Sequence, residues 1–197
     1  MNLRSPHILP LLLLGCGTRA PQEDAERPVQ PAAAATATPA RPSGSPLVFE
    51  PPKDWAAESP TSTMRKAQYR LPRAAADAED AECVVYFFGE MGGGGVEANI
   101  ERWCTQFQQP DGRESKEVLA RSERKVAGLS VHEAELSGTY VAETAPGSGV
   151  RVNKPGFRML AAILESDHGA YYVKLVGPAS TVDKHASAFR DFISRVH

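Results

Sequence analysis

Two segments of the chain are apolar at consecutive positions, and both are predicted to be strands covered on two faces. They are residues 83–88 (CVVYFF) and residues 157–164 (FRMLAAIL). Neighbouring side chains of a strand point to opposite faces, so apolar residues at both parities indicate a sheet with cover on each side. Residues 65–71 (RKAQYRL) alternate instead, which predicts a strand with one buried face.

Two other segments have the spacing of amphipathic helices. In residues 96–107 the large apolar side chains recur at helical intervals, which places them on one stripe. The end of the chain has the same periodicity and is the clearest helix in the sequence. The two stripes are Val96, Ile100, Trp103 and Phe107, and Val182, Ala186, Phe189, Ile193 and Val196.

The order of these elements predicts the fold class. Further strands are expected at 47–49, 118–126, 129–140 and 170–176. Adjacent strands joined by short turns imply antiparallel pairing. We therefore predict an α+β domain with a mainly antiparallel sheet of about six strands and two helices, arranged as a layered sandwich.

The start of the chain, MNLRSPHILPLLLLGC, has the features of an export signal. A positive start with Arg4 precedes an apolar stretch from Ile8 to Leu14, which is too short to span a bilayer. The stretch ends at Gly15 and Cys16 and resembles a bacterial lipobox. The resemblance implies that residues 1–15 are a signal peptide and that the sulfur of Cys16 carries acyl chains. The alternative is an ordinary secretory signal with a chance cysteine.

Acylation would hold the protein on a membrane, facing the periplasm or the cell surface, because two or three acyl chains bind a bilayer essentially permanently. Gly17 stands where an aspartate would resemble the inner-membrane retention signal, so its presence favours the outer membrane of a Gram-negative cell.

Residues 16–46 are predicted to form a disordered tether after the lipidated cysteine. The segment is rich in alanine and proline, and Val29 is its only large aliphatic residue. A segment with so little to bury cannot offset the entropy lost on ordering. Residues 47–197 have the length of one ordinary domain, which we predict to be α+β.

Composition excludes several classes of protein. The chain has 197 residues, 42% of them hydrophobic and 23% charged, with a formal net charge of −2. No strong basic field would attract nucleic acid, which we do not expect as a partner. The three cysteines include no C-x-x-C pair, which argues against a zinc finger.

Residues 47–197 contain Trp55, the strand at 83–88, the helix around Trp103, and the closing strand Tyr171-Tyr172-Val173-Lys174-Leu175 with its terminal helix. In the order of these elements and in their aromatic residues, the folded part resembles the PsbP-like α/β/α sandwich, a fold that is similar to that of small bacterial lipoproteins. The resemblance implies an accessory or binding protein.

Cys83 and Cys104 remain once Cys16 is acylated. In an oxidising periplasm they could form a disulfide, because a strand followed by a returning helix can bring both thiols to the same height along the strand direction. They could equally be two buried thiols that act as small hydrophobic residues, or a reactive redox pair.

No other motif predicts a catalytic, cofactor or metal site. The glycine run at 92–95 lacks the lysine and serine of a phosphate loop and is better interpreted as a flexible connection. The acidic segment 77–82 lacks the spacing of a calcium loop and predicts a solvated loop. The histidines of residues 47–197 have no metal-ligand spacing; they are His132, His168, His185 and His197.

The sequence therefore predicts a membrane-anchored envelope lipoprotein of unknown specific role. Its domain is expected to bind a protein partner or a small ligand, or to serve as an accessory part of an envelope complex, and we expect a binding or accessory role more than catalysis. The alternative is a hydrolase or other envelope enzyme whose site forms only in the fold. A concave pocket with two or more convergent titratable groups would favour that alternative.

Overall fold

A computed structural model of the chain describes residues 46–89, 92–145 and 147–197. The predicted signal peptide, Cys16 and all of the predicted tether except Pro46 lie outside the described residues. The elements in the described ranges are β1 (Ala56–Glu58), β2 (Arg65–Leu71), β3 (Ala81–Phe87), α1 (Val96–Cys104), β4 (Phe107–Gln108), α2 (Ser115–Val118), β5 (Ala120–Val126), β6 (Leu129–Tyr140), β7 (Lys154–Ser166), β8 (Gly169–Pro178) and α3 (Ala179–Ser194).

The strands form one antiparallel sheet in the order β1-β2-β3-β8-β7-β6. The outer edge of β6 pairs with β5 along its first half and with β4 at its end. This arrangement confirms the predicted α+β class and the antiparallel sheet. The described residues contain eight strands and three helices rather than about six and two. The additional elements β1, β4 and α2 have three, two and four residues, which is too short for a hydrophobic period to be recognised.

Both faces of the sheet are buried, as the sequence predicts for its central strands. Along β7, Leu160, Ala162 and Leu164 point to the face covered by α3. Met159, Ala161 and Ile163 point to the other face, which is covered by α1. Two separate cores therefore form, one on each side of the sheet.

The first and last described residues meet on the α3 face. The segment 47–49 is extended but lies outside the sheet, so the strand predicted there is wrong. Its backbone bonds go to the end of the chain instead: the Val48 N–H donates to the His197 carbonyl over 2.8 Å. The Leu47 N–H donates to the Tyr171 hydroxyl over 3.2 Å.

Cys83 and Cys104 are both buried and both free, so the possible disulfide is not formed in this structure. The physical reason is the parity of β3. Cys83 belongs to the core beneath α3, whereas Cys104 belongs to the core beneath α1. The sheet lies between the two sulfur atoms, and matching their level along the strand does not bring them together.

Burial of these two thiols also disfavours the thiolate form, which is the reactive form of cysteine. Burial raises the pKa of the Cys83 thiol well above its ordinary value, and it raises that of Cys104 as well. A redox pair needs an exposed thiol of low pKa. In this structure the two cysteines pack as small hydrophobic residues of the two cores.

Within the described ranges, no helix is both long enough and apolar enough to cross a membrane.

We expect both thiols to be free in the mature protein. Peptide mapping under non-reducing conditions should recover Cys83 and Cys104 as separate alkylated peptides. An aromatic disulfide reagent should not react with Cys83 until denaturant is added, because this thiol is fully enclosed in a packed core. Recovery of a peptide in which Cys83 is linked to Cys104 would contradict the fold described above.

Candidate functional site

Two cavities flank helix α1, and they differ in the kind of side chain that lines them. The larger one, of about 730 Å³, lies on the outer side of the helix against residues 107–116. Every charged side chain that lines it belongs to an exposed residue. The smaller one, of about 540 Å³, lies between α1, the sheet and the loop after β6. We call the first the outer cavity and the second the sheet cavity.

The sheet cavity is the better candidate because charged and aromatic groups converge there on a partly buried surface. Strands β2, β3 and β8 supply Arg65, Glu82, Tyr86 and Lys174 to its floor. These residues share a face because β3 and β8 are in register, with Val84 opposite Lys174 and Tyr86 opposite Tyr172. Pockets of this size, with apolar walls and a few polar groups, are typical ligand sites.

Lys174 occupies the floor of the sheet cavity. Its ammonium donates a hydrogen bond to the Gln106 Oε1 over 3.0 Å and lies 5.7 Å from the centre of the Tyr140 ring. The pKa of Lys174 is lowered from 10.5 to about 8, chiefly by burial and to a smaller extent by the guanidinium groups of Arg102 and Arg65, and Glu82 opposes this shift. The unfavourable free energy of burying the ammonium is larger than its favourable interaction with the Glu82 carboxylate.

Glu82 is already engaged with a different cation. Its carboxylate accepts a hydrogen bond from Arg65 Nη1 over 2.9 Å. The same guanidinium also donates to the Gln68 Oε1 over 2.9 Å and lies over the Tyr86 ring, 5.6 Å from its centre. Arg65 and Glu82 thus form a compensated pair at one side of the cavity, and Lys174 is left without a bonded carboxylate among the described residues.

Three tyrosines complete the wall. Burial raises the pKa of Tyr86 and Tyr172, and it raises the pKa of Tyr140 to about 12. All three hydroxyls are therefore protonated near neutral pH. The Tyr172 hydroxyl donates to the Gly94 carbonyl over 2.6 Å, which ties the loop before α1 to the sheet.

The glycine run at 92–95 is shaped by this contact. Gly93 has a positive φ of 89°, and a Cβ there would lie 2.6 Å from the Tyr172 ring. Asn99 from the first turns of α1 is buried and donates to the Gly93 carbonyl over 2.6 Å. Gly93 thus allows a close approach of the backbone to an aromatic ring.

The carboxylates of the acidic segment 77–82 interact with several different partners. Asp80 bonds to Arg70 over 2.8 Å, and the guanidinium beside it holds the pKa of that carboxyl below its ordinary value. Asp77 accepts a bond from Thr181 over 2.6 Å, and Glu79 pairs with Lys154. These carboxylates are directed to separate cations and hydroxyls, not toward a common point.

The histidines lie apart from one another. His132 stands between Glu165, at 3.0 Å, and Glu123, at 3.6 Å, on the outer half of the sheet. His185 is a buried residue of α3, and one of its ring nitrogens lies 3.0 Å from the Pro72 carbonyl oxygen. Neither residue lines the sheet cavity. Among the described residues, no group of three or more metal-binding side chains converges.

Comparisons with known proteins add a distant likeness in fold. The chain matches no protein-family model, and no curated protein is similar to it in sequence. A solved structure, LpqN involved in cell envelope biogenesis of Mycobacterium tuberculosis, superposes with a TM-score of 0.47 and 9% identity over 76% of this chain and 81% of that one. A likeness this distant implies neither a shared ligand nor a shared role, and the resemblance to PsbP-like domains stays a prediction.

The sequence contains one signal for this site, which is a single lysine within an otherwise apolar strand. The strand YYVKLV is apolar at both parities except at Lys174. A lysine in the middle of a strand that is covered on both faces must point its ammonium into one of the two layers. The neighbours that make it notable, Arg102 and Tyr140, come from distant segments and only meet in the fold.

Substitution of Lys174 by methionine is expected to stabilise the protein near pH 7. Methionine has a similar length and no charge to bury, so the free energy of unfolding should rise by about 1–2 kcal/mol. The matched control is Lys125→Met, because Lys125 is an exposed strand lysine and its removal should change stability by less than about 0.5 kcal/mol. Urea denaturation at pH 7 measures both effects.

The gain should vanish at high pH. The folded state releases the Lys174 proton near pH 8, whereas the unfolded chain keeps it up to about pH 10.5. Between these values the unfolded state binds more protons, so the stability of the unsubstituted protein rises with pH and approaches that of the variant. An advantage of Lys174→Met that is the same at pH 7 and pH 10.5 would contradict the lowered pKa.

Proposed function

We propose that this chain is a membrane-anchored bacterial lipoprotein, and that its folded domain binds a small ligand in the sheet cavity as a binding or accessory protein of the cell envelope. The observation that carries the binding proposal is Lys174. An ammonium held in a cavity without a carboxylate partner costs stability, and such groups are concentrated at functional sites.

The architecture around the cavity supports binding. The floor stands on β3 and β8, in the middle of the sheet, where backbone pairing on both sides holds the side chains in place. The rim is formed by Met64, residues 141–144 and Arg151. A rigid floor with a loop at the mouth is a common design of ligand sites.

The anchor is proposed from the sequence Leu13-Leu14-Gly15-Cys16. The folded part is compatible with it in one respect. The first described residues join the domain on the α3 face, beside His197, whereas the sheet cavity lies on the α1 face. An anchor that enters at Leu47 therefore does not have to pass over the cavity.

Substitution of Cys16 by serine tests the anchor. Serine at this position offers no thiol for acylation, so the variant should move from the membrane fraction to the soluble fraction or stay as unprocessed precursor. Cys104→Ser is the matched control, since it removes a different thiol and should stay with the membrane. Mass spectrometry of the mature chain should find acyl groups on Cys16. A Cys16→Ser protein that fractionates exactly like its parent would exclude the lipoprotein assignment.

Filling each cavity in turn tests the ligand site. Ala142 lines only the sheet cavity and Ala98 lines only the outer cavity, so Ala142→Trp and Ala98→Trp form a matched pair. Native mass spectrometry of the protein released from its own membranes should show a non-covalent small-molecule adduct. The adduct should be lost in Ala142→Trp and kept in Ala98→Trp. Loss in the outer-cavity variant alone would place the site elsewhere.

The enzyme alternative is favoured by one observation, the convergence of Lys174, Glu82 and Tyr140 on one cavity. A hydrolase also needs an activated nucleophile beside a base. The two threonine hydroxyls that line the cavity instead donate to backbone carbonyls, Thr105 to Arg102 over 2.8 Å and Thr144 to Val150 over 3.2 Å. Binding is therefore the better-supported function. Turnover of an activated ester that disappears in Lys174→Met would reverse this preference.

A further inference from the structure

The charges of the sheet cavity do not balance. Its lining contains more cations than carboxylates: the former are Arg65, Arg102, Arg151 and Lys174, and the latter are Glu82 and Glu143. Arg65 and Glu82 neutralise each other, and the Glu143 carboxylate accepts a bond from the Gly147 N–H over 2.7 Å. Among the described residues, Arg102, Arg151 and Lys174 have no carboxylate partner.

The hydrogen-bond donors of these cations are also incompletely used. The Lys174 ammonium has three donors and makes one bond, to Gln106, within the described part of the chain. The Arg102 guanidinium has five donors and bonds to the Asn99 Oδ1. Both residues line the sheet cavity. An oxygen anion between them would supply acceptors to both and relieve their repulsion.

The walls next to these cations are aromatic. Tyr86 and Phe88 stack with an interplanar angle of 2° and a centroid distance of 6.2 Å. Trp103 is buried against the same cavity, and Tyr140 lies beside Lys174. Flat apolar groups pack favourably on such surfaces, so the cavity offers an apolar subsite next to a cationic one.

We propose that the ligand of the sheet cavity is a small amphipathic anion. Its carboxylate, sulfonate or phosphate oxygens bind Lys174 and Arg102, and its aromatic or apolar body lies against Tyr86, Tyr140 and Trp103. This inference rests on the proposed function, which states only that the cavity binds a ligand. It adds the ligand's charge and the residues that select it.

Two fluorescent probes that differ by one anionic group test the inference. Anilinonaphthalene sulfonate and phenyl-naphthylamine share the same rings, but only the former carries a sulfonate. We expect the sulfonate probe to bind about tenfold more tightly or better, because a hydrogen bond to a charged group contributes about that much affinity. Lys174→Gln should remove this preference by weakening the sulfonate probe about tenfold, while the neutral probe binds as before.

Two further variants make this result specific to the site. Lys116→Gln is the matched control, since Lys116 lines only the outer cavity and should affect neither probe. Arg102→Gln alters an exposed residue at the edge of the sheet cavity, and it should weaken the sulfonate probe selectively even if Lys174→Gln folds poorly. Circular dichroism of each variant establishes that its fold is retained.

The preference should also decrease as the pH rises through about 8, where Lys174 loses its proton. Guanidinium groups stay charged in this range, and burial keeps the tyrosine hydroxyls protonated, so the ammonium is the cation that changes. Binding of the sulfonate probe should weaken between pH 7 and pH 9.5, and that of the neutral probe should not. The charged and titratable groups that face Lys174 are Arg65, Glu82, Tyr86, Arg102, Tyr140 and Tyr172.

The possible failures are distinguishable. If both probes bind equally and Lys174→Gln changes neither, while Ala142→Trp abolishes both, the cavity binds ligands but does not select anions, and this inference is wrong. If neither probe binds, or if Ala142→Trp leaves binding unchanged, the proposed function fails and the inference fails with it.

Discussion

Burial of the sheet on both faces decides where each side chain of its central strands can go. In the middle of β3, β7 and β8, successive residues point alternately to the core beneath α3 and to the side covered by α1. Cys83 therefore lies beneath α3 and cannot reach Cys104, which lies beneath α1. By the same rule Lys174 faces the α1 side, where the layer is incomplete and leaves the sheet cavity.

Stability alone does not account for the sheet cavity. Arg65 and Glu82 show how this fold neutralises a half-buried cation, with a bond of 2.9 Å across β2 and β3. On the opposite side of the sheet, Arg158 and Arg190 share Glu135 in the same way. Lys174 has no such partner among the described residues, although Glu82 is near enough to influence its pKa. A bound ligand could supply the anionic acceptor that Lys174 lacks among the described residues, and this is the physical reason for the proposed ligand binding.

The sequence predicted the long elements well, because their hydrophobic periods extend over many residues. The strand expected at 129–140 has those bounds, and the terminal stripe from Val182 to Val196 lies in the core as expected. Elements of two to four residues, such as β4 and α2, carry no period and were not predicted. The strand expected at 47–49 was wrong because an extended apolar segment can bond to a chain end as well as to a sheet.

The site was harder to predict than the fold because its chemistry depends on contacts between distant segments. Lys174, Gln106 and Arg102 are ordinary residues in the sequence, and only the pairing of β3 with β8 and the packing of α1 bring them to one cavity. The cysteines illustrate a related difficulty, because the possible disulfide was argued from the height of the two thiols along the strand and not from the faces of the sheet on which they lie. For a sheet covered on both sides, parity decides which groups can meet, and an isolated lysine in such a strand marks the layer in which to look for a ligand.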